Sequence, residues 1–324
     1  MKIFVTGGSG FVGQSIIPIL IDHGFQIFAL ARSTAAAETV NSLGATPVMD
    51  DLTSLSKNTI EALKECDCVL HSAAHMDLTY DKALFYKINV KATKDLLSKS
   101  KENGIKKFIY ISAAPVVPGS PIVNLTEKDA GKQFPKALYP KTKAIAEKAV
   151  LKANSKSFKT ISLRPPAIWG PNNHHYDDLL ENVKNGKWRW IGGGHQILST
   201  IHVKNLASAV LAALSSDEGG QAYFVTDGDR RSVKETFSAI LQAEGLDPGE
   251  KELPRGVALF FAHVFGGIWK ILGLKSRPPV MPLMIRLMGT EFSVSDQKAR
   301  NELGYKNVID FQQGIQELKS KQTI

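Results

Sequence analysis

Tyr139 and Lys143, in the run "YPKTK", have the residue types and spacing to move a proton. Four residues apart on a helix, they share a face. An ammonium beside a phenol favours phenolate and lowers a pKa that starts near ~10. A phenol tuned this way can protonate or deprotonate a carbonyl or alcohol oxygen while a hydride moves to or from a nicotinamide. The spacing alone is cheap in a chain with 7 tyrosines. Its place on the helical stretch after the fifth strand-like run gives it weight.

Such a pair needs a dinucleotide beside it, and the first residues supply a cradle. In "VTGGSGFVG", Gly7, Gly10 and Gly13 follow a strand-like run and open an apolar helix, with Phe11 and Val12 between them. Glycines there let the backbone approach a pyrophosphate, and free helix N–H groups point at it. The strand before and the helix after turn a weak glycine spacing into a dinucleotide site. The second strand ends in "ALARS", placing Arg32 and Ser33 where an NAD site usually carries an acid for the ribose hydroxyls. A guanidinium pairs with a 2′-phosphate that a carboxylate would repel. NADP is therefore expected ahead of NAD, although an arginine stacked on adenine would serve NAD as well. Asp51 and Leu52, after the third strand, are expected at the adenine edge.

Holding these residues together takes an alternating fold. "KIFVTG", "FQIFALAR", "ATPVM", "DCVLHSAA", "KKFIYISA" and "FKTISLRP" read as apolar strands, with helical stretches between them. Strands of this kind are buried on both faces and indicate parallel βαβ units. The expected class is α/β, a Rossmann-type doubly wound parallel sheet with a smaller, discontinuous C-terminal substrate lobe. Residues 1–170 form the dinucleotide-binding domain, with 200–227 returning to it, and 171–199 and 228–324 form the substrate lobe. Pro18, inside the first helix, should kink it or shorten its hydrogen-bond ladder.

At this point the chain resembles the extended short-chain dehydrogenases/reductases, in the branch of NAD-dependent epimerase/dehydratases and 3β-hydroxysteroid dehydrogenase-like enzymes. "TGGSGFVG", "DDLTS", "HSAAHMD", "INVKATKDLL", "YPKTK", "RPPAIWGP" and "GQAYFVTDG" fall in the family's order and span nearly the whole chain. The resemblance implies that Ala73 and Ala74 line the dinucleotide. It also implies that Asn89, counted with the cofactor site, holds the active-site helix, and that Pro166 to Ile168 border the nicotinamide. Lys143 would bind the nicotinamide ribose as well as serve Tyr139. Family members often pair through the helix of Tyr139 and the one before it, so a homodimer is implied.

The same resemblance exposes a gap. The fifth strand of the family ends in two small residues, the second of which supplies the hydroxyl beside the catalytic tyrosine. Here the pair is Ser112-Ala113. Ser112 matches the supporting position and Ala113 the catalytic one. Losing one positioned donor can cost ~2.7–4 kcal/mol of transition-state stabilisation. That weakens a reductase without erasing it, and Ser112 is the remaining candidate for the substrate oxygen.

Nucleotide-sugar members carry Arg-Asp before the "IHV" strand, and this chain has Leu198 and Ser199 there. Without the arginine a diphosphate loses a charge-assisted contact. The expected activity is NAD(P)-dependent interconversion of a secondary alcohol and a ketone on an apolar, sterol- or acyl-like substrate. The rivals are a nucleotide-sugar epimerase or dehydratase and, given Ala113, a non-catalytic dinucleotide sensor. The apolar stretch 256–277 reads as helices of the substrate lobe, a lid over a greasy substrate, or a peripheral membrane contact with Lys270, Lys275 and Arg277 toward headgroups.

Other features bound the reading. The net charge of +9 is scattered, with no nucleic-acid motif, so no nucleic-acid partner is expected. The opening shows no secretory leader, and Cys66 and Cys68 read as reduced thiols in a cytoplasmic protein. His174 and His175 with Asp177 and Asp178 read as a polar loop and not as a metal site, and no metal is expected. "KWRW" suits a short half-buried strand or an aromatic platform for substrate, and "GGGH" at 192–195 suits a turn.

Overall fold

Strand β1 (Lys2–Thr6) sends successive side chains to opposite faces of a sheet. Ile3 and Val5 enter one buried cluster and Phe4 another, so both faces need cover. The computed structural model describes residues 1–76, 81–119, 121–129, 133–274, 276 and 282–320. After β1 come α1 (Phe11–Asp22), β2 (Gln26–Ala31), α2 (Thr34–Ser42), β3 (Thr46–Met49), α3 (Lys57–Glu65) and β4 (Cys68–His71). A helical passage follows: α4 (Lys82–Phe85), a π-helical turn Tyr86–Ala92, and α5 (Thr93–Glu102). Then come β5 (Lys107–Ile111), β6 (Ile122–Leu125), α6 (Leu138–Lys152), β7 (Lys159–Arg164), β8 (Ala167–Trp169) and α7 (Asp177–Lys184). They lead to β9 (Trp190–Ile191), β10 (Ile197–Leu198), β11 (Thr200–His202), α8 (Val203–Ser215) and β12 (Gln221–Phe224). The chain continues through β13 (Arg231–Ser232), α9 (Val233–Ala243), β14 (Glu252–Leu253) and α10 (Arg255–Ile271). Last are α11 (Pro282–Gly289), β15 (Phe292–Val294) and α12 (Phe311–Ser320).

Seven strands form one parallel sheet in the order β12-β7-β5-β4-β1-β2-β3. The chain builds outward from β1 to β3, then crosses back to place β4 on the other side of β1. The loops leaving β1 and β4 therefore diverge, and a crevice opens at their carboxyl ends. Residues of α1 and α8 cover one face, joined by Leu303 and Tyr305 from near the C-terminus. Residues of α3, α5 and α6 cover the other. Alternation recurs in β5, where Phe108 and Tyr110 enter one cluster and Ile109 and Ile111 the other.

Helix α1 runs through Pro18 to Asp22, and the proline supplies no amide hydrogen to its ladder. The details depart from the sequence expectation in two places. Strand β11 pairs with β8 in a separate two-stranded sheet, so within 200–227 it is β12 that joins the main sheet. A smaller mixed sheet, β13-β10-β15-β6, recruits β6 from within the first 170 residues. The Asp227 carboxylate ties these parts together, accepting bonds from Trp169 Nε1, Thr200 Oγ1, the His202 N–H and Asn205 Nδ2 at 2.7–3.0 Å. Cys66 and Cys68 are free and buried, and burial pushes both thiols up to about 12. At that value neither supplies a reactive thiolate near neutral pH.

Candidate active site

The crevice is a cleft of ≈ 660 Å³ between the main sheet's carboxyl edge and the smaller sheet. Gly7 begins it with φ +76°, a conformation side chains rarely adopt, and a Cβ there would lie 2.7 Å from the Ala73 nitrogen. Gly10 is the N-cap of α1 and has no side chain to cover the first amides of that helix. Those amides are the unsatisfied, positively polarised end that an anion needs. Gly7, Gly10, Phe11 and Val12 line the cleft. Gly13 stands behind it: a Cβ there would meet the Gly7 carbonyl oxygen at 2.3 Å, so its bareness lets α1 pack against the loop.

Arg32, Asp51 and Leu52 also line the cleft, from the ends of β2 and β3. The Thr53 N–H, 2.7 Å from the Asp51 carboxylate, is the main cause holding that group below the usual range, with Arg32 and Lys87 adding to it. Ser33 is exposed and sits instead at the N-cap of α2, where its hydroxyl accepts the Ala36 N–H at 3.3 Å. Ala73 and Ala74, after β4, line the cleft, as do Pro166 between β7 and β8 and Ile168 of β8.

Asn89 is buried and does not line the cleft. Its Oδ1 accepts the His75 N–H at 2.7 Å, and its Nδ2 donates to the His75 carbonyl at 2.9 Å and to Thr142 Oγ1 at 3.1 Å. It thus fastens the segment after β4 to α6. The network extends through His71, which Tyr110 stacks against. Thr93 Oγ1 donates to the Asn89 carbonyl, so it accepts from His71 Nε2–H at 2.8 Å. His71 Nδ1 is left to accept from Thr6 Oγ1 at 2.6 Å. Burial, with the Lys143 charge, depresses the imidazole to about 3, so it stays neutral.

Tyr139, Lys143, Ser112 and Ala113 all line the same cleft. Tyr139 and Lys143 lie on the first two turns of α6. Glu147, one turn further, fixes that helix to β7 through a buried ion pair with Arg164 at 2.7 Å and a bond from Ser162 Oγ at 2.7 Å. Lys143 is 1 % exposed; its Nζ donates to the Ile111 carbonyl at 2.6 Å and lies 4.1 Å from the centre of the Tyr110 ring. Burial lowers its pKa to about 7, partly opposed by Glu147. The expected lowering of the Tyr139 phenol is not found: burial pushes it up to about 12. The amine is engaged with Ile111 and its own charge is weakened, so desolvation of the phenol dominates. Ser112 is 3 % exposed, and its Oγ has no hydrogen-bond partner among the described residues.

The far end of the cleft comes from residues that carry no motif in the sequence. Tyr176, Phe237, Met284, Leu287, Met288 and Phe292 line it, together with Leu198. Among the described lining residues, Arg32 and Lys143 are the sole Lys or Arg. Trp188 and Trp190 take no part. Their rings meet edge to face with centroids 5.3 Å apart, and Trp190 is fully buried, so "KWRW" is core and not a platform. The "GGGH" glycines are a turn, all three with positive φ. His174 and Asp177 are an exposed pair 3.7 Å apart, while the side chain of His175 lies outside the described residues. The end of "HSAAHMD", Asp77, lies outside them as well.

A glycine cradle and a tyrosine–lysine pair on one parallel sheet define the dinucleotide-dependent dehydrogenases and reductases of the extended short-chain type. Within that class, residues 4–255 match the 3-beta hydroxysteroid dehydrogenase/isomerase family, and the chain belongs to it. The family works with NAD(P). The chain is 33% identical to a 4-hydroxy-2-methyl-3-oxo-4-farnesyl-3,4-dihydroquinoline-1-oxide ketoreductase of Stigmatella aurantiaca, over 98% of this chain and 96% of that one. It is 32% identical to a decarboxylating sterol-4-alpha-carboxylate 3-dehydrogenase of Dictyostelium discoideum, over 98% and 99%. A crystal structure of UDP-glucose 4-epimerase from Thermus thermophilus in complex with NAD shares the fold, with TM-score 0.75, 22% identity and coverage of 99% and 98%.

Proposed function

We propose that this protein is an NADP-dependent oxidoreductase that interconverts a ketone and a secondary alcohol on an apolar, sterol- or acyl-like substrate. The observation that carries the substrate class is the far end of the cleft, where Tyr176, Leu198, Phe237, Met284, Leu287 and Phe292 offer apolar area and no guanidinium. A sugar diphosphate would leave its charges unpaired there. The names of the relatives, a farnesylated quinoline ketoreductase and a sterol dehydrogenase, agree with a greasy ketone. Arg32 at the cleft, with no acid at the end of β2, supports NADP over NAD. The smaller sheet and α11 act as the substrate lobe.

The cradle at Gly7 and Gly10 and the open amides of α1 would hold the pyrophosphate, and Lys143 the nicotinamide ribose. When bound, the nicotinamide supplies or accepts the hydride. Tyr139, protonated at neutral pH, donates its proton to the substrate oxygen during reduction. Ser112, buried with an unmatched hydroxyl beside the cleft, donates a hydrogen bond to the same oxygen in place of the hydroxyl missing at Ala113. The walls from α11 and Phe237 keep water from the reacting carbon.

The test is loss of reduced-nicotinamide absorbance with NADPH and, in turn, a 3-keto sterol and a long-chain 3-oxo acid, beside chromatographic product analysis of a UDP-sugar incubated with the protein and NAD⁺. Turnover of an apolar ketone with a lower KM for NADPH than for NADH is expected. Turnover of the UDP-sugar alone would overturn the reading. Ala113 motivates a second reading, a dinucleotide sensor without chemistry. Ala113→Ser separates the two: a reductase gains roughly tenfold or more in kcat, part of the ~2.7–4 kcal/mol a positioned donor supplies. A sensor stays inert while its dinucleotide Kd is unchanged.

A further inference from the structure

Several buried side-chain nitrogens and oxygens find no hydrogen-bond partner among the described residues, and two of them, Ser112 Oγ and His75 Nε2, belong to residues that line the cleft. In the proposed reduction Ser112 serves the ketone oxygen, whereas His75 has no part. An unmatched buried nitrogen costs the fold free energy until a partner satisfies it.

The imidazole is held as a binding group needs to be. Asn89 takes both backbone polar groups of His75, accepting its N–H at 2.7 Å and donating to its carbonyl at 2.9 Å. The ring meets the buried Phe85 ring edge to face, with centroids 4.5 Å apart. Asn89 also donates to Thr142, the residue before Lys143, so His75 is tied to the helix of the proton donor. Strands β4 and β5 pair with His71 opposite Tyr110, which brings the segments of His75 and Ser112 out side by side at the carboxyl edge. Among the described lining residues Asp51 is the sole acid, and it follows β3, three strands away from β4. An anionic group beside the ketone therefore meets no carboxylate there.

We infer that His75 reads a second oxygen of the substrate through a hydrogen bond from Nε2, selecting ketones that carry a carboxylate on the adjoining carbon. The inference rests on the proposed reduction at Tyr139 and adds the residue that chooses among apolar ketones. A neutral imidazole has one donor and one acceptor nitrogen. With the proton on Nε2 it donates to a carboxylate oxygen, while the rest of the ligand runs into the apolar end of the cleft. A ketone without that group leaves the nitrogen unmatched, and the loss falls on binding and not on the chemical step.

The test compares a long-chain 3-hydroxy acid with the 2-alkanol that lacks only its carboxylate. Each is oxidised with NADP⁺, and each is titrated calorimetrically into the NADPH complex, where no turnover can occur. His75→Phe keeps a ring against Phe85 and removes the nitrogen; it should raise both KM and Kd of the hydroxy acid roughly tenfold or more. The 2-alkanol constants, kcat with either alcohol and the NADPH Kd should stay unchanged. His75→Gln, which sets an amide N–H near the former Nε2, should restore part of the lost affinity. Equal weakening of both alcohols would reveal a structural role and overturn the inference. So would a native chain that binds the hydroxy acid no tighter than the 2-alkanol, or a His75→Phe variant that binds it as the native chain does, the mark of a nitrogen satisfied by internal water alone. If neither alcohol is oxidised but the variant loses affinity for the hydroxy acid alone, the proposed redox chemistry falls and the role of His75 stands.

Discussion

Tyr139→Phe is expected to lower kcat/KM for ketone reduction by roughly 10²–10⁴-fold while the dinucleotide Kd changes little. The ring stays to line the cleft, and only the hydroxyl is lost, so a binding defect would not follow. Burial holds the phenol at about 12, which makes it a proton reservoir at any pH from neutral to mildly alkaline. The reduction rate should therefore show no loss assignable to this group until pH rises toward that value in the ligand-free state. Stopped-flow hydride transfer, followed beside an equilibrium titration of NADPH, reads both quantities. A fall smaller than tenfold would move the proton donor elsewhere, with Ser112 and a bound water the first alternatives.

Lys143→Met is expected to abolish most activity and yet to stabilise the ligand-free chain. The amine is almost fully buried, and its pKa falls from 10.5 to about 7. Because the folded value lies below the unfolded one, the unfolded chain binds the extra proton between those two pH values. The penalty is complete below about pH 7 and fades as pH climbs toward 10.5. Near pH 7 it is on the order of 4 kcal/mol. Methionine removes that penalty but strands the Ile111 carbonyl, which accepts from Nζ and costs ~1–3 kcal/mol unpaired. Desolvation is the larger effect, so a net gain of about 1–3 kcal/mol remains. Thermal unfolding at neutral pH should show the variant melting higher, with its advantage shrinking by pH 10. A variant that melts lower at both pH values would show that the carbonyl bond outweighs the buried charge.

What the sequence could tell followed from how local each signal is. The glycine cradle, Arg32, and the Tyr139–Lys143 spacing are each contained within a strand, a loop or two helical turns. The structure lines one cleft with them. The alternation of strands and helices carried the parallel sheet for the same reason. The apolar end of the cleft was not legible because Tyr176, Phe237, Met284 and Phe292 come from four separate elements that meet only through the topology. Ser33 beside Arg32 is also the residue ahead of a helix, and its hydroxyl serves as the N-cap of α2, a second use that the run "ALARS" does not reveal by itself. The direction of the Tyr139 shift was beyond spacing altogether. It depends on how much water the folded walls remove, and burial outweighs the nearby amine. Strand β6 joined the smaller sheet through partners far away in sequence.

The imidazole at His71 gives the molecule an acid fuse. It bridges Thr6 at the end of the first strand and Thr93, and through Asn89 it reaches Thr142 on the helix of Tyr139. A second proton on that ring would place a donor at Nδ1 against the Thr6 hydroxyl that donates to it, inside a buried site, and the folded form resists it down to about 3. The unfolded chain takes the proton readily near 6.5, so mild acid drains stability through this one ring. Acidification would therefore loosen the cradle and the proton donor as a single unit.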